Sequence, residues 1–146
     1  MKGKYIILLT ILFLGLTLRL YHLDNESIWI DESYSVIHAQ NENILDITKS
    51  LLKVEGLPPG YPVFLHYWIK LFGNSTFSVR FPSVIFGVLA ILVMYKISLI
   101  LTNKKIALLS SLPFSTSMLQ VLFSQEARLY SLYGFLTLLT VYYFIN

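Results

Sequence analysis

An all-α membrane protein is the fold class this sequence predicts, and three observations predict it. Of the 146 residues, 55% are hydrophobic and only 13% charged, with a mean hydropathy of +0.66, whereas soluble domains average about 25% charged residues. Four apolar runs, over about residues 5–20, 80–101, 106–123 and 129–145, are separated by polar or proline-rich sequence. Seven of the eight acids fall between Asp24 and Glu55 and the eighth is Glu126, while Lys2, Lys4, Lys104 and Lys105 have no acidic neighbours. Such segregation sets membrane orientation. Nucleic-acid binding would need cations gathered on one wet face and is not expected. Cysteine is absent, which excludes disulfides and thiolate metal sites.

The first apolar run reaches roughly 24 Å at about 1.5 Å per residue, enough to span with help from its flanks. Lys2 and Lys4 precede it as in a signal peptide, but Arg19 stands where a small-x-small cleavage site would follow. It is therefore read as an uncleaved anchor, with Arg19 and Tyr21 reaching into the far interface. Residues 21–60 are polar and mixed, with helical periodicity over about Asp31–Gln40 and Ile44–Val54. In the second piece Ile44, Leu45, Ile47, Leu51 and Leu52 share one face, and Glu42, Asp46, Lys49 and Lys53 the other, as in a helix lying along an interface.

Pro58, Pro59 and Pro62 break the helix, and the apolar segment Val63–Phe72 after them is too short to span. Gly73 to Thr76 is a turn. Arg80-Phe81-Pro82-Ser83 opens the second span, where Pro82 is tolerated in a first turn. A tight loop at Lys104-Lys105 leads to the third span, where Pro113 among serines and threonines predicts a kink with its freed carbonyls bonded by hydroxyls. Residues 124–128 form a short polar break before the fourth span. With residues 63–72 kept out of the bilayer, the N-terminus and the Lys104-Lys105 loop lie inside. The single large loop 21–79 and the 124–128 break then lie outside together.

That placement gives the acids a common compartment. Asp31 and Glu32 form an adjacent pair just beyond the anchor, and Glu126 with Arg128 sits at the outer end of a membrane helix, where ionisable groups are costly and tend to be functional. The Arg128 guanidinium is suited to holding a phosphate by paired hydrogen bonds, and a carboxylate in the outer loop to acting as a base. The competing reading is a solvated acid pair and a snorkelling ion pair. His66 is a candidate metal ligand or phosphate donor, or simply a histidine bonded locally. Tyr67, Trp68 and Phe72 suit an aromatic interface belt as well as a sugar platform. Asn25-Glu26-Ser27 and Asn74-Ser75-Thr76 match the glycosylation sequon. No glycine-rich phosphate loop, HExxH pair or nucleophile elbow is present.

Taken in order, Trp29-Ile30-Asp31-Glu32, Pro58-Pro59 before an aromatic helix, Arg80-Phe81-Pro82-Ser83 and Ser124-Gln125-Glu126-Ala127-Arg128-Leu129-Tyr130 carry a resemblance. The chain resembles the N-terminal part of GT-C-fold glycosyltransferases, closest to the dolichyl-phosphate-mannose protein mannosyltransferase-like group, family 39 and its prokaryotic relatives. The resemblance implies a partial GT-C fold with juxtamembrane helices in a large first extracytoplasmic loop. It implies a multi-pass protein of the cell membrane, a polyprenyl-phosphate-linked sugar donor, and an acceptor that is a protein, lipid or glycan. It also implies an acid of that loop as catalytic residue.

Under this reading Asp31 takes the acceptor's hydroxyl proton and Glu32 orients a partner cation. Arg128 meets the charge developing on the lipid phosphate, and Glu126 positions Arg128 or the acceptor. His66 and Tyr130 complete the substrate-binding set. A divalent metal bound by acids of the two loops, as in related oligosaccharyltransferases, stays open. The family's later helices would lie beyond residue 146, so the chain is expected to be a fragment, a split subunit with a separately encoded C-terminal portion, or a degenerate remnant. The alternative is a non-catalytic small membrane protein, a transporter or assembly subunit whose acids only orient loops.

Overall fold

The computed structural model describes residues 2–41, 43–54 and 58–146, with side chains described from residue 5 onward except at 42, 50 and 52–57. Readings that fall on Lys2, Lys4, Glu42, Leu52 or Lys53 side chains lie outside the described residues. Within them all regular structure is helical: α1 (Lys2–Leu20), α2 (Ile30–Ala39), α3 (Ile44–Val54), α4 (Gly60–Phe72), α5 (Thr76–Leu101), α6 (Lys104–Thr116), α7 (Met118–Ser124) and α8 (Tyr130–Ile145). α5 is the central post, packed against α1, α6, α7 and α8, while α2, α3 and α4 form a small group held to its N-terminal end through α4.

Local chemistry sets the boundaries. The hydroxyl of Ser75 accepts from the Ser78 amide at 3.2 Å and starts α5 there, four residues before Arg80. Asn103 caps α6 by accepting from Lys105 and Ile106 at 3.0 and 3.2 Å. Gly73 ends α4 with φ of 80°, a conformation that favours glycine. α4 itself begins at Gly60 and not Val63, because Pro62 falls in its first turn, where no intrahelical amide is needed.

Pro82 is a correction of another kind. It lies in the second turn of α5, so its missing N–H leaves the Ser78 carbonyl without a helical partner. The indole of Trp68 on α4 donates to that carbonyl at 2.9 Å and fastens the two helices together. Trp68 is thus a joint as well as part of an aromatic group with Phe72 and Phe81.

The expected kink at Pro113 is displaced. α6 continues through Pro113, with hydroxyls of Ser115 and Thr116 bonding the Leu112 carbonyl at 2.7 and 3.1 Å. The break comes at Ser117, where α6 and α7 meet at 59°. Among the described residues, α5 alone of the four expected spans is long and apolar enough to cross a membrane as one helix. α6 and α7 qualify only as one broken span, and α8 and Tyr5–Leu20 of α1 are shorter apolar helices.

Arg19 does not reach outward. It is fully buried, its Nη1 donating to the carbonyls of Gly15 and Ser115 at 2.9 Å each and its Nε to the Ser124 hydroxyl at 3.1 Å. The break at Ser117 removes the amide that would have served Ser115, and the guanidinium takes its place. Room for it exists because residue 87 is glycine: a methyl there would overlap Ser124 Oγ and lie 2.8 Å from Arg19 Nε.

Candidate active site at the Asp31 and Glu126 loops

The end of α1, the start of α5 and the turn between α7 and α8 converge, and the 21–29 segment and α2 close over them. What joins them is Glu32, 1% exposed, with Arg80, 4% exposed. Arg80 Nε and Nη2 donate to the two carboxylate oxygens at 2.9 and 2.7 Å, a fork-to-fork pair. Each oxygen takes a second donor, the Ala127 amide at 2.7 Å and the Trp29 amide at 3.1 Å. The latter is half of a capping box that starts α2. Arg80 Nη1 also donates to the carbonyls of Leu23 and Glu26 at 2.7 and 3.1 Å, and Nη2 to that of Ser27 at 3.2 Å. One ion pair therefore organises three separate stretches of chain. Burial pushes the Glu32 carboxyl up, but the hydrogen bonds from Arg80, Ala127 and Trp29 and the charge of Arg80 together hold it below the ordinary carboxylate range.

A shared apolar cluster fixes the same geometry. Val36 and Ala39 of α2, Tyr61 and Leu65 of α4, Val79 of α5 and Ala127 of the turn are buried against one another. The Tyr61 hydroxyl meets Ser83 Oγ at 3.2 Å.

Asp31, the residue before it on α2, is exposed. Successive helical residues point about 100° apart, so burying Glu32 turns Asp31 outward. Asp31 lines a hollow of about 250 Å³ with Trp29, Ile30, Glu32 and Glu126. Arg128 Nη1 donates to the backbone carbonyl of Asp31 at 2.8 Å. Arg128 Nε is buried with no hydrogen-bond partner. Among the described residues Glu126 and Arg128 form no ion pair, and Glu32 pairs with Arg80 instead. Glu126 is half-buried, and burial, followed by the negative charge of Glu32, raises its carboxyl above the ordinary range despite the opposing charges of Arg128 and Arg80.

Tyr130 lies beside this site, its ring 5.8 Å from the Arg128 guanidinium and 4.8 Å from Phe123. His66 is elsewhere. It is buried between α2 and α4, with Nδ1 2.8 Å from the Ala39 carbonyl, and lines neither hollow beside Asp31 and Glu126. No group of three or more histidines or acids among the described residues is arranged to hold a metal ion. Arg80 and Gln125 had been read only as parts of motifs. An arginine one turn inside an apolar helix with no local acid signals a distant buried carboxylate. Gln125 Nε2 donates to the carbonyls of Arg19 and Tyr21 at 3.3 and 2.8 Å, serving the unpaired end of α1.

Residues 57–146, more than half of the chain, match the family model described as dolichyl-phosphate-mannose-protein mannosyltransferase. No curated protein and no solved structure matches the chain. The matched region carries Arg80, Glu126 and Arg128. Asp31 and Glu32 precede it and are tied to it by the Arg80, Ala127 and Arg128 contacts. The chain belongs to the dolichyl-phosphate-mannose-protein mannosyltransferase family and is a glycosyltransferase-like membrane protein.

Proposed function

We propose that the chain carries the N-terminal catalytic region of a membrane glycosyltransferase that moves a sugar from a polyprenyl-phosphate donor to an acceptor hydroxyl on the extracytoplasmic side. The observation that carries this reading is the anchoring of Arg128 through Nη1 on the Asp31 backbone carbonyl at 2.8 Å, which keeps a guanidinium charge next to the hollow lined by Asp31 and Glu126. A guanidinium held there is suited to meeting the charge of a phosphate.

The chemistry follows from these two groups. The acceptor oxygen attacks the anomeric carbon as the bond from that carbon to the phosphate oxygen breaks, with inversion. The hydroxyl proton passes to the Asp31 carboxylate, and the lipid phosphate leaves as an anion held by Arg128. A phosphate that leaves already ionised needs no second carboxyl acid, in contrast to glycoside hydrolysis. Glu32 has both oxygens occupied by four N–H donors, so it holds Arg80 and the turn in place and takes no proton. The reading in which acids only orient loops is favoured for Glu32 alone. Four crossings, with the Lys104-Lys105 loop inside, belong to the same proposal.

Membranes from cells making the full-length protein, given radiolabelled polyprenyl-phosphate hexoses, test it. Asp31→Asn is expected to lower transfer by about 10²–10⁴-fold and Arg128→Gln by about 10²–10³-fold, with membrane insertion unchanged. Full transfer by Asp31→Asn removes Asp31 as the base. Absence of transfer from every donor removes the enzymatic reading. Because the chain has no cysteine, single replacements Ser27→Cys, Glu126→Cys and Lys105→Cys can be labelled with an impermeant thiol reagent. The first two should react from outside and the third only after permeabilisation; opposite sides for the first two would dissolve the shared site.

A further inference from the structure

The end of α5 farthest from Glu32 carries a cation that the candidate active site does not use. Lys96 lies sixteen residues beyond Arg80, roughly 24 Å along the helix at about 1.5 Å per residue. It is exposed, and its Nζ stands 5.6 Å from the centroid of the Tyr142 ring on α8. Among the described residues no carboxylate pairs with it. Residues 56–146 hold a single acid, Glu126, which sits at the other end of the bundle beside Asp31. A ring contact offsets little of a whole charge. Two more cations follow where α5 hands over to α6: Lys104 and Lys105, both exposed.

Depth decides what can reach Lys96. The 26 residues of α5 extend roughly 39 Å, against a hydrocarbon core of about 30 Å. Both ends of the helix therefore emerge at the polar boundary. Lys96 precedes the last helical residue, Leu101, by five positions, roughly 7.5 Å. Its backbone thus lies at the edge of the hydrocarbon, and its four-carbon stem carries the ammonium to the level of the headgroups. The side chains that share these helix ends are apolar and open: Ile100 is 42%, Leu101 64% and Phe144 90% exposed.

A soluble anion would have to leave water to lie against such a surface, which is costly. A phospholipid does not, since its acyl chains cover the apolar side chains while its phosphate meets the cations. Three lysines without an acid favour an anionic headgroup over a zwitterionic one, whose own ammonium they repel. The exposed Tyr143 adds a hydroxyl that can donate to phosphate. We propose that this end of α5 and α8, centred on Lys96, binds the headgroup of one anionic phospholipid, with Lys104 and Lys105 adding attraction from the adjoining turn. The site goes beyond the glycosyltransferase reading and holds whether or not the chain transfers sugar.

The full chain, purified in a mild detergent, is titrated with phosphatidylglycerol and with phosphatidylcholine of the same acyl chains, and native mass spectrometry counts the bound lipids. One phosphatidylglycerol is expected to bind in preference to phosphatidylcholine. Lys96→Gln should weaken it about fivefold, the loss of one lysine's attraction at a membrane surface, and Lys96→Arg should restore it. Lys104→Gln and Lys105→Gln should each weaken it by no more than that. Lys96 is exposed and pairs with no acid among the described residues, so its loss spares the fold; an unchanged melting temperature checks that, and the comparison of the two lipids on the parent needs no variant. Equal binding of the two lipids overturns the proposal. So does a preference indifferent to Lys96→Gln, which would make it a diffuse effect of the other surface lysines. Displacement of the lipid by millimolar inorganic phosphate would mark a site for soluble anions and overturn it as well.

Discussion

Replacing Glu32 by glutamine tests how the site is held together. The side chain keeps its shape, but one end changes from an acceptor to an N–H donor. Whichever way the amide turns, that end faces two donors, either Arg80 Nε with the Ala127 amide or Arg80 Nη2 with the Trp29 amide. The guanidinium, 4% exposed, also loses its counter-charge. Removing one partner from a buried pair costs about 3–5 kcal/mol, a large part of the roughly 5–15 kcal/mol that holds a typical domain. Unfolding in detergent micelles measures the loss directly. The deficit should persist in 1 M salt, because a pair shielded from solvent is little screened. Arg80→Gln removes the same pair from the other side, so the double variant should be less damaged than the two single losses added, by about 1–3 kcal/mol. A Glu32→Gln protein within about 0.5 kcal/mol of the parent, or a strictly additive cycle, would refute the central role of this pair.

Acid should act through two carboxyls in opposite senses. The folded-state ionisation of Glu32 lies below the ordinary value of 4.5, so its contribution is present above that pH and is lost as the pH falls through the depressed value; the deficit of Glu32→Gln should shrink over the same window. Glu126 is raised, so folding favours its protonated form, and that contribution is lost as the pH rises above 4.5 through the raised value. Glu126→Gln should therefore unfold later than the parent at neutral pH and no later below 4.5. Gly87→Ala should cost about 1–3 kcal/mol by overpacking. Gly15→Ala should cost less, because its nearest atom is the flexible tip of Ile91, and paired melting curves compare them. Trp68→Phe keeps the ring contacts but leaves the Ser78 carbonyl unbonded, at about 1–3 kcal/mol in the same assay.

The helices of the loop region were legible because their periodicity is local. α2 was expected over 31–40 and runs from Ile30 to Ala39, and α3 was expected over 44–54 and occupies those residues. Convergence of Asp31 with the Glu126 turn was expected from charge placement along the chain, and the structure brings the two stretches together. What escaped was set by contacts between distant residues. The lone Arg80 signals a distant carboxylate, but nothing near it in sequence says that the partner is Glu32, 48 positions away. Arg19 was read as snorkelling because a long cation at a helix end usually does so. Its inward turn depends on Gly87 and on the Ser115 carbonyl, 96 positions away. The break at Ser117 is visible only once that donor is seen, since Pro113 is the stronger local signal.

Two adjacent carboxylates acquire different work here through helix geometry alone. With Glu32 fixed inward by four N–H donors, the rotation of about 100° per residue turns Asp31 outward, where it lines the hollow. Arg128 then bonds the Asp31 backbone and not its carboxylate, so the acid keeps its lone pairs and the guanidinium keeps its charge uncompensated by Asp31. Had Arg128 paired with the carboxylate, the proposed base and the proposed anion site would have neutralised each other. The pair that does neutralise, Glu32 with Arg80, lies underneath and sets the positions of both loops. A structural ion pair below and two separated, opposite charges above is the arrangement expected of a site that must accept a proton and hold an anion in the same event. In the loop-orienting alternative, Asp31 and Arg128 would gain nothing by staying apart.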